Sequence, residues 1–241
     1  MSSAPVKDPA SGRLAPADVR AMFDRIAPRY DLMNRLMTAG RDRAWRRAAA
    51  ATADLAAGDR ALDCCTGTGD LAFDLADRAP GGSVVGVDFS ERMIALADKK
   101  ARTRNDGVRF EVGDVMSLGH DDDSFDAATV AFGIRNVSDL DGGLREMARV
   151  VRPGGRVVVL EITVPEHLQR FYGVWFDRLV PRLGALLGRD ADAYRYLPAS
   201  VRRFPAPPAL AARLAGSGLE DVRWRTFAGG IVALHHGRVK A

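Results

Sequence analysis

The chain is poor in the residues that build metal centres and disulfide frameworks. It has two cysteines and four histidines in 241 residues. The cysteines are adjacent, Cys64-Cys65, and vicinal thiols seldom pair with each other. They read as reduced thiols of a buried strand in a cytoplasmic protein, and no metal is expected. No run of about 18 apolar residues occurs, which excludes a membrane-spanning helix. The N-terminus has no apolar h-region, so no signal peptide is expected. There is no internal repeat. The full G-x-G-x-x-G is missing, which weakens a dinucleotide reading. Lysines do not cluster outside Lys99-Lys100, and arginines are interspersed with acids, which argues against a nucleic-acid partner.

What is present supports one domain with additions. The chain is 47% hydrophobic, enough for a full core. Its net charge of +4 is unevenly spread. Residues 1–57 carry 10 Lys/Arg and 6 Asp/Glu, residues 58–151 carry 11 and 18, and residues 152–241 carry 14 and 7. An acidic middle is flanked by basic ends. Such ends either face something anionic or are balanced within the fold.

Residues 1–15 are Ser/Pro/Ala-rich and read as a disordered tail. Asp18 is placed to cap a helix carrying Val19, Met22, Phe23 and Ile26 on one face, which Pro28 ends. The stretch Y-D-L-M-N-R-L-M reads either as an amphipathic helix with a polar outer face or as a lid. A helix from about Arg41 to Asp54 follows. From Asp59 the pattern alternates β and α. The strands are Arg60–Cys65, S-V-V-G-V-D, V-R-F-E-V-G-D, F-D-A-A-T-V-A-F and R-V-V-V-L-E-I. Ser90 is a candidate N-cap, and Ser138 with Asp141 resembles a capping box. Strands alternating with helices at short spacing predict a mostly parallel sheet with helices on both faces. After Glu161 the rhythm breaks. Leu168 to Leu187 form an apolar helical stripe kinked at Pro181. Two final strands, D-V-R-W-R-T-F and G-I-V-A-L-H-H-G, close the sheet as an antiparallel pair.

The chemistry gathers at the carboxyl edge of that sheet. Gly67 and Gly69 follow the first strand and let the backbone approach a ligand closely. Asp88 ends the second strand, where a carboxylate accepts hydrogen bonds from ribose hydroxyls. Asp114 ends the third and can meet an exocyclic amine. Asp63 can brace the glycine loop or meet an ammonium group. With Asp70, four acids lie at one edge. They suit a cationic, amino-bearing ligand better than a pyrophosphate.

At this point D-C-C-T-G-T-G-D, V-V-G-V-D-F-S, V-G-D-V and R-P-G-G resemble the class I S-adenosylmethionine-dependent methyltransferases. Y-D-L-M-N-R-L-M, F-G-I-R-N-V, A-Y-R-Y-L-P-A-S-V-R-R-F-P and G-I-V-A-L-H-H-G resemble, more narrowly, the quinone C-methyltransferases of the menaquinone and ubiquinone pathways. The likeness covers about Met22 to Gly237. It implies a seven-stranded, Rossmann-like, mostly parallel sheet with an N-terminal helical lid (16–57), a core (58–241) and a substrate-side insertion (165–208). It implies S-adenosylmethionine as methyl donor, held by Asp63, Gly67, Thr68, Gly69, Asp88, Phe89, Asp114 and Val115. Two positions depart from the family pattern. Ala131 stands where a serine is frequent, and Thr66 replaces a loop glycine, which fits only at negative φ.

The implied reaction methylates a hydroquinone ring carbon, demethylmenaquinol ahead of the ubiquinone precursor. A phenol titrates near pH 10, so a base or a cation must help at neutral pH. Arg135 is placed to stabilise the phenolate and Asn136 to orient a hydroxyl. Asp70, Asp31, Tyr30 and His235 are the candidate bases. The substrate's polyprenyl tail gives the apolar stripe and basic ends a use against an anionic membrane surface. Packing of the stripe in the core or against a second subunit, as a homodimer, is the alternative. An RNA methyltransferase is the competing function from another class.

Overall fold

The computed structural model describes residues 14–104, 107–165 and 191–241. Helix α1 (Pro16–Ile26), a 3-10 turn (Ala27–Arg29), α2 (Tyr30–Thr38) and α3 (Asp42–Thr52) precede the sheet. Then come β1 (Arg60–Cys64), α4 (Asp70–Ala76), β2 (Ser83–Asp88), α5 (Glu91–Ala101), β3 (Val108–Val112) and β4 (Phe125–Ala131). A 3-10 turn (Ile134–Asn136), α6 (Leu140–Arg149) and β5 (Val151–Ile162) follow. The last elements are α7 (Ala191–Arg203), α8 (Pro207–Gly216), β6 (Leu219–Phe227) and β7 (Val232–Val239).

The seven strands form one sheet in the order β3-β2-β1-β4-β5-β7-β6. The first five are parallel, and β7 runs antiparallel to both of its neighbours. Strand order reverses between β1 and β4. The loops leaving those two strands diverge there, which opens a crevice at the carboxyl edge where α/β sheets bind ligands.

Alternation along the buried strands splits the core. Leu62, Val85, Val157 and Val159 pack with Leu144, Met147, Leu210 and Leu214 on the face covered by α6 and α8. Ala61, Val84, Val158, Leu160 and Leu234 pack with Trp45, Ala49, Leu71 and Leu75 on the face covered by α3 and α4. Odd-numbered residues of β1 point to the second face, so Asp63 is turned toward α3.

Several local expectations are corrected. Helix α1 starts on Ala15 as cap with Pro16 in its first turn, and Asp18 lies inside that turn. A proline at this position is preorganised for the helix and removes a donor that had no partner anyway. Asp139, not Ser138, caps α6, its carboxylate accepting from Gly142 N at 3.0 Å. The Ser138 hydroxyl is turned to the Met116 sulfur. The R-P-G-G turn lies inside β5 as an irregularity between Phe125 and Ala127 in the β4 pairing. Cys65 has left the strand at φ 51° and belongs to the loop, so only Cys64 is a core-strand thiol. Ser90 does cap α5, accepting from Met93 N. Residues 1–13 of the expected tail and the stripe from Leu168 to Leu187 lie outside the described residues.

The crevice is packed by close backbone approach. A Cβ on Gly133, in the loop after β4, would stand 2.3 Å from Cys65 Cβ in the loop after β1. The two loops touch only because one of them has no side chain. Gly133→Ala is expected to cost about 1–3 kcal/mol through overpacking. Adding Cys65→Gly removes the clashing atom and should recover at least half of that loss. Urea unfolding of the single and double variants measures this; independent, additive effects would contradict it.

Candidate functional site

Three connected hollows lie along the crevice. The largest, about 640 Å³, is mostly apolar and sits between the N-terminal helices and the sheet edge. Met22, Met33, Met37, Trp45, Leu197 and Ile231 supply much of its wall. A narrower cleft of about 70 Å³ runs between the loops after β1, β2, β3 and β4, past Gly67, Asp88, Phe89, Asp114 and Val115. A small polar hollow of about 30 Å³ lies under the glycine loop, lined by Asp63, Thr66, Gly67, Thr68 and Arg46. Tyr30 and Phe132 line all three.

The glycine loop is shaped by alternating backbone sign. Cys65, Gly67 and Gly69 have positive φ, while Thr66 does not, so the departure at Thr66 is accommodated. Gly69 is the N-cap of α4 at φ 86°, and a Cβ there would meet Phe110 at 2.5 Å. The Thr66 hydroxyl donates to Asp63 Oδ2 at 2.6 Å and the Thr129 hydroxyl to Asp63 Oδ1 at 2.8 Å. Asp88 Oδ2 accepts from Gly67 N at 2.8 Å and its Oδ1 from Ser90 N at 2.9 Å. Asp88 therefore braces the glycine loop and still faces the narrow cleft with free lone pairs. Phe89 packs edge-on against Phe23 of α1. Asp114 lies beyond the end of β3, exposed, its Oδ1 accepting from Met116 N at 2.9 Å, and Val115 is buried beside it.

Burial dominates two of these acids. It lifts Asp63 to about 7, against the pull of the two hydroxyls. It lifts Asp88 to about 6, against its two backbone bonds. Tyr30 is likewise held above its usual phenol range by burial, with Asn34 and Arg135 opposing. Tyr30 stays neutral, so its hydroxyl can donate or accept a hydrogen bond but is no base at neutral pH.

The cation placed by F-G-I-R-N-V is not exposed. Arg135 sits on the 3-10 turn after β4 and pairs with Glu161 on β5 at 2.6 Å, both side chains buried. Its Nη1 also donates to Phe132 O. Burial is the strongest influence and opposes its charge, but Glu161 with Tyr30 and Tyr196 together keep it a cation, while burial raises the Glu161 carboxyl against the pull of Arg135. Neighbouring Asn136 holds its side-chain oxygen buried and without a partner among the described residues. Asn136 as a residue lines both the large hollow and the narrow cleft.

The candidate bases fare poorly. His235 is on the other face of the sheet. It pairs across the ladder with Val159, bonds Pro207 O through Nε2 at 2.9 Å and stacks on Trp224. Strand alternation decides this, because Val232 and Leu234 take the pocket side. Asp70 is locked in an ion cluster, at 2.9 Å from Arg46 Nη2 and 2.7 Å from Lys100 Nζ. Burial raises its carboxyl, but the two cations outweigh burial and hold it below the ordinary carboxylate range. It is no proton acceptor at neutral pH. Asp31 is bound to Lys100 at 2.7 Å and accepts from the Thr68 hydroxyl at 2.6 Å. Thr68 thereby faces Asp31 and Lys100 rather than open space.

Sequence reasoning missed Glu161 and Arg46. Both are single charged residues in apolar or helical runs, and their only sequence signal is a charge where period demands a buried side chain. Among the described residues, no group of three His, Cys, Asp or Glu side chains is gathered to hold a metal, and no helix is long and apolar enough to cross a membrane.

Comparison with known proteins follows the same lines. A family model described as the ubiE/COQ5 methyltransferase family matches residues 12–239. The chain is 49% identical to the demethylmenaquinone methyltransferase of Thermus thermophilus, over 90% of this chain and 99% of that protein. It is 43% identical to a ubiquinone/menaquinone biosynthesis C-methyltransferase of Geobacter sulfurreducens, over 91% and 87%. Among solved structures, it superposes on a SAM-dependent methyltransferase from Thermotoga maritima with a TM-score of 0.61 and 21% identity, covering 91% and 99%. That last likeness establishes the fold, a class I methyltransferase sheet.

The two lifted carboxyls set the stability of the free protein. In the native state Asp63 keeps its proton to about pH 7 and Asp88 to about 6, whereas unfolded aspartates lose theirs near about 3.9. Their stabilising contribution is complete below the unfolded value and is lost as pH rises through the native values. Their contribution to stability in urea is expected to fall as pH rises between about 4 and 7, opposed by His235 and His236, whose burial-lowered values add stability over part of the same range. Asp63→Asn should reduce that slope by up to about 1.4 kcal/mol per pH unit. An unchanged slope in the variant would contradict the assignment.

Proposed function

The chain belongs to the ubiE/COQ5 methyltransferase family, and from that premise we propose that it transfers a methyl group from S-adenosylmethionine to a ring carbon of a polyprenylated hydroquinone, demethylmenaquinol first among them. The single observation that carries the reading is Asn136, with an unpartnered side-chain oxygen and next to the Arg135 cation, lining both an apolar chamber and a narrow cleft edged by Asp88 and Asp114.

The cleft fits the methyl donor. Asp88 has lone pairs left for a ribose diol, Asp114 and Val115 suit an adenine edge, and Gly67 lets the backbone approach. An acidic surround favours a ligand carrying an ammonium and a sulfonium. When bound, S-adenosylmethionine supplies an electrophilic methyl on its sulfonium sulfur.

The chain's own residues do the rest. Asn136 accepts the hydrogen bond of a ring hydroxyl and fixes the ring's orientation. Arg135, held by Glu161, favours loss of the other hydroxyl's proton to solvent and stabilises the negative charge delocalised onto the ring carbon; that carbon takes the methyl, S-adenosylhomocysteine leaves, and the carbon's own proton passes to solvent as the ring regains aromaticity. Tyr30 donates from the lid side. Phe132 and Trp45, edge to face with centroids 6.5 Å apart, wall the ring. The chamber volume is that of small-molecule sites, roughly 300–1,000 Å³, and its methionines adapt to a flexible tail. Alignment of donor and ring carbon supplies much of the rate.

Helices α1 to α3 act as a lid in this reading. Leu32 and Leu36 stand exposed on α2, one turn apart. With the basic ends of the chain they support docking of this face on an anionic lipid surface, where the substrate resides. The likeness to a demethylmenaquinone methyltransferase and a ubiquinone/menaquinone biosynthesis C-methyltransferase favours quinol methylation over the RNA alternative.

Incubation with methyl-labelled S-adenosylmethionine and a short-tailed demethylmenaquinol should place label in the quinone. Arg135→Ala should lower kcat/KM at least about 100-fold, with affinity for S-adenosylhomocysteine nearly unchanged. Label in RNA, or none in either a naphthoquinol or a benzoquinol, would overturn the proposal.

A further inference from the structure

Arg46 is buried on α3, and its Nη2 bonds Asp42 at 2.8 Å and Asp70 at 2.9 Å. Those are the acceptors the described residues offer it. Its Nε is buried with no partner, and its Nη1 bonds nothing among the described residues. A buried arginine ordinarily has its donors satisfied, because each unmet one costs free energy. The open donors belong to the cation that borders the small polar hollow beneath the glycine loop, whose other charged walls are Asp31, Asp42, Asp63 and Asp70. Lys100, the other cation of the cluster, is spent. Its three N–H groups meet Asp31 at 2.7 Å, Asp70 at 2.7 Å and the Thr68 hydroxyl at 2.9 Å.

Asp31, Asp42 and Asp70 are already matched with Lys100 and Arg46, so a ligand entering this hollow meets Asp63 and the open donors of Arg46, and suits them with one cationic and one anionic group. An α-amino acid end has that pattern. Resting on the methyl-donor reading above, we propose that Arg46 clasps the carboxylate of the donor's methionine moiety, and so ties donor occupancy to the helix that walls the substrate chamber. Arg46 borders both hollows, which puts the clasp on the partition between donor and ring. Asp63, close enough for Arg46 to influence its titration, is left to the ammonium.

Calorimetric titration with S-adenosylhomocysteine and with 5′-methylthioadenosine, which lacks the amino-acid end, tests this. Arg46→Gln should weaken the first by 10- to 100-fold and the second by less than threefold. Equal weakening of both, the mark of a packing role, overturns the clasp. The variant leaves Asp42 and Asp70 facing each other and is at risk of misfolding. The wild-type protein is therefore also titrated with decarboxylated S-adenosylhomocysteine. A 10- to 100-fold loss against the parent compound is expected, and equal affinity overturns the clasp. No binding of either adenosine ligand to the wild type would overturn the methyl-donor reading as well, which separates the two failures.

Discussion

One ammonium group holds the site together. Lys100 projects from α5 and meets Asp31 of α2, Asp70 of α4 and Thr68 of the glycine loop within 2.9 Å. Three helices and a loop from separate parts of the chain thus converge on one charge. Each partner is only partly buried, so each pair taken alone is worth little. Their joint effect is geometric. They fix the N-terminal helices against the sheet edge, and the large hollow exists only because those helices stand there. Arg46 extends the seam inward through Asp70 and Asp42, from a wet junction to a buried one.

Charge in the crevice is sorted by burial. The acids nearest the glycine loop, Asp63 and Asp88, lie deep and hold their protons to unusually high pH. The acids of the seam are matched with cations and stay ionised. Arg135 is a third case, a buried cation whose counter-ion comes from the next strand of the sheet. Breaking such a pair from one side leaves an uncompensated buried charge. Its persistence beside an apolar chamber is better explained by what it does to a ring hydroxyl than by stability. The same separation assigns tasks along the crevice: polar recognition in the cleft, charge stabilisation at the seam, and apolar volume beyond it.

Much of this was legible in the chain itself. Near-continuous apolar runs bounded by turns marked the inner strands of the sheet, because parallel strands buried on both faces tolerate little else. The acids at strand ends could be placed because a strand's end is also the sheet's edge. What could not be read was direction and pairing. His235 looked available until alternation turned it to the far face. Asp70 looked like a base until Lys100, 30 residues away, and Arg46, on a preceding helix, closed on it. Arg135 read as a free cation because nothing in a string shows that Glu161 of β5 lies opposite the turn after β4. Ser138 was the expected cap, but its hydroxyl turns to the Met116 sulfur and Asp139 takes the position. Each miss is a tertiary contact overriding a correct local preference.

The most direct test of the account is a crystal structure with S-adenosylhomocysteine and a short-tailed demethylmenaquinol bound together. The ring should lie in the large hollow, with one hydroxyl about 3 Å from Asn136 Oδ1. Arg135 should stand beside the ring, and between the sulfur and a ring carbon there should be room for one methyl group. A ring bound elsewhere, or a sulfur walled off from it by Phe132 and Tyr30, would contradict the account.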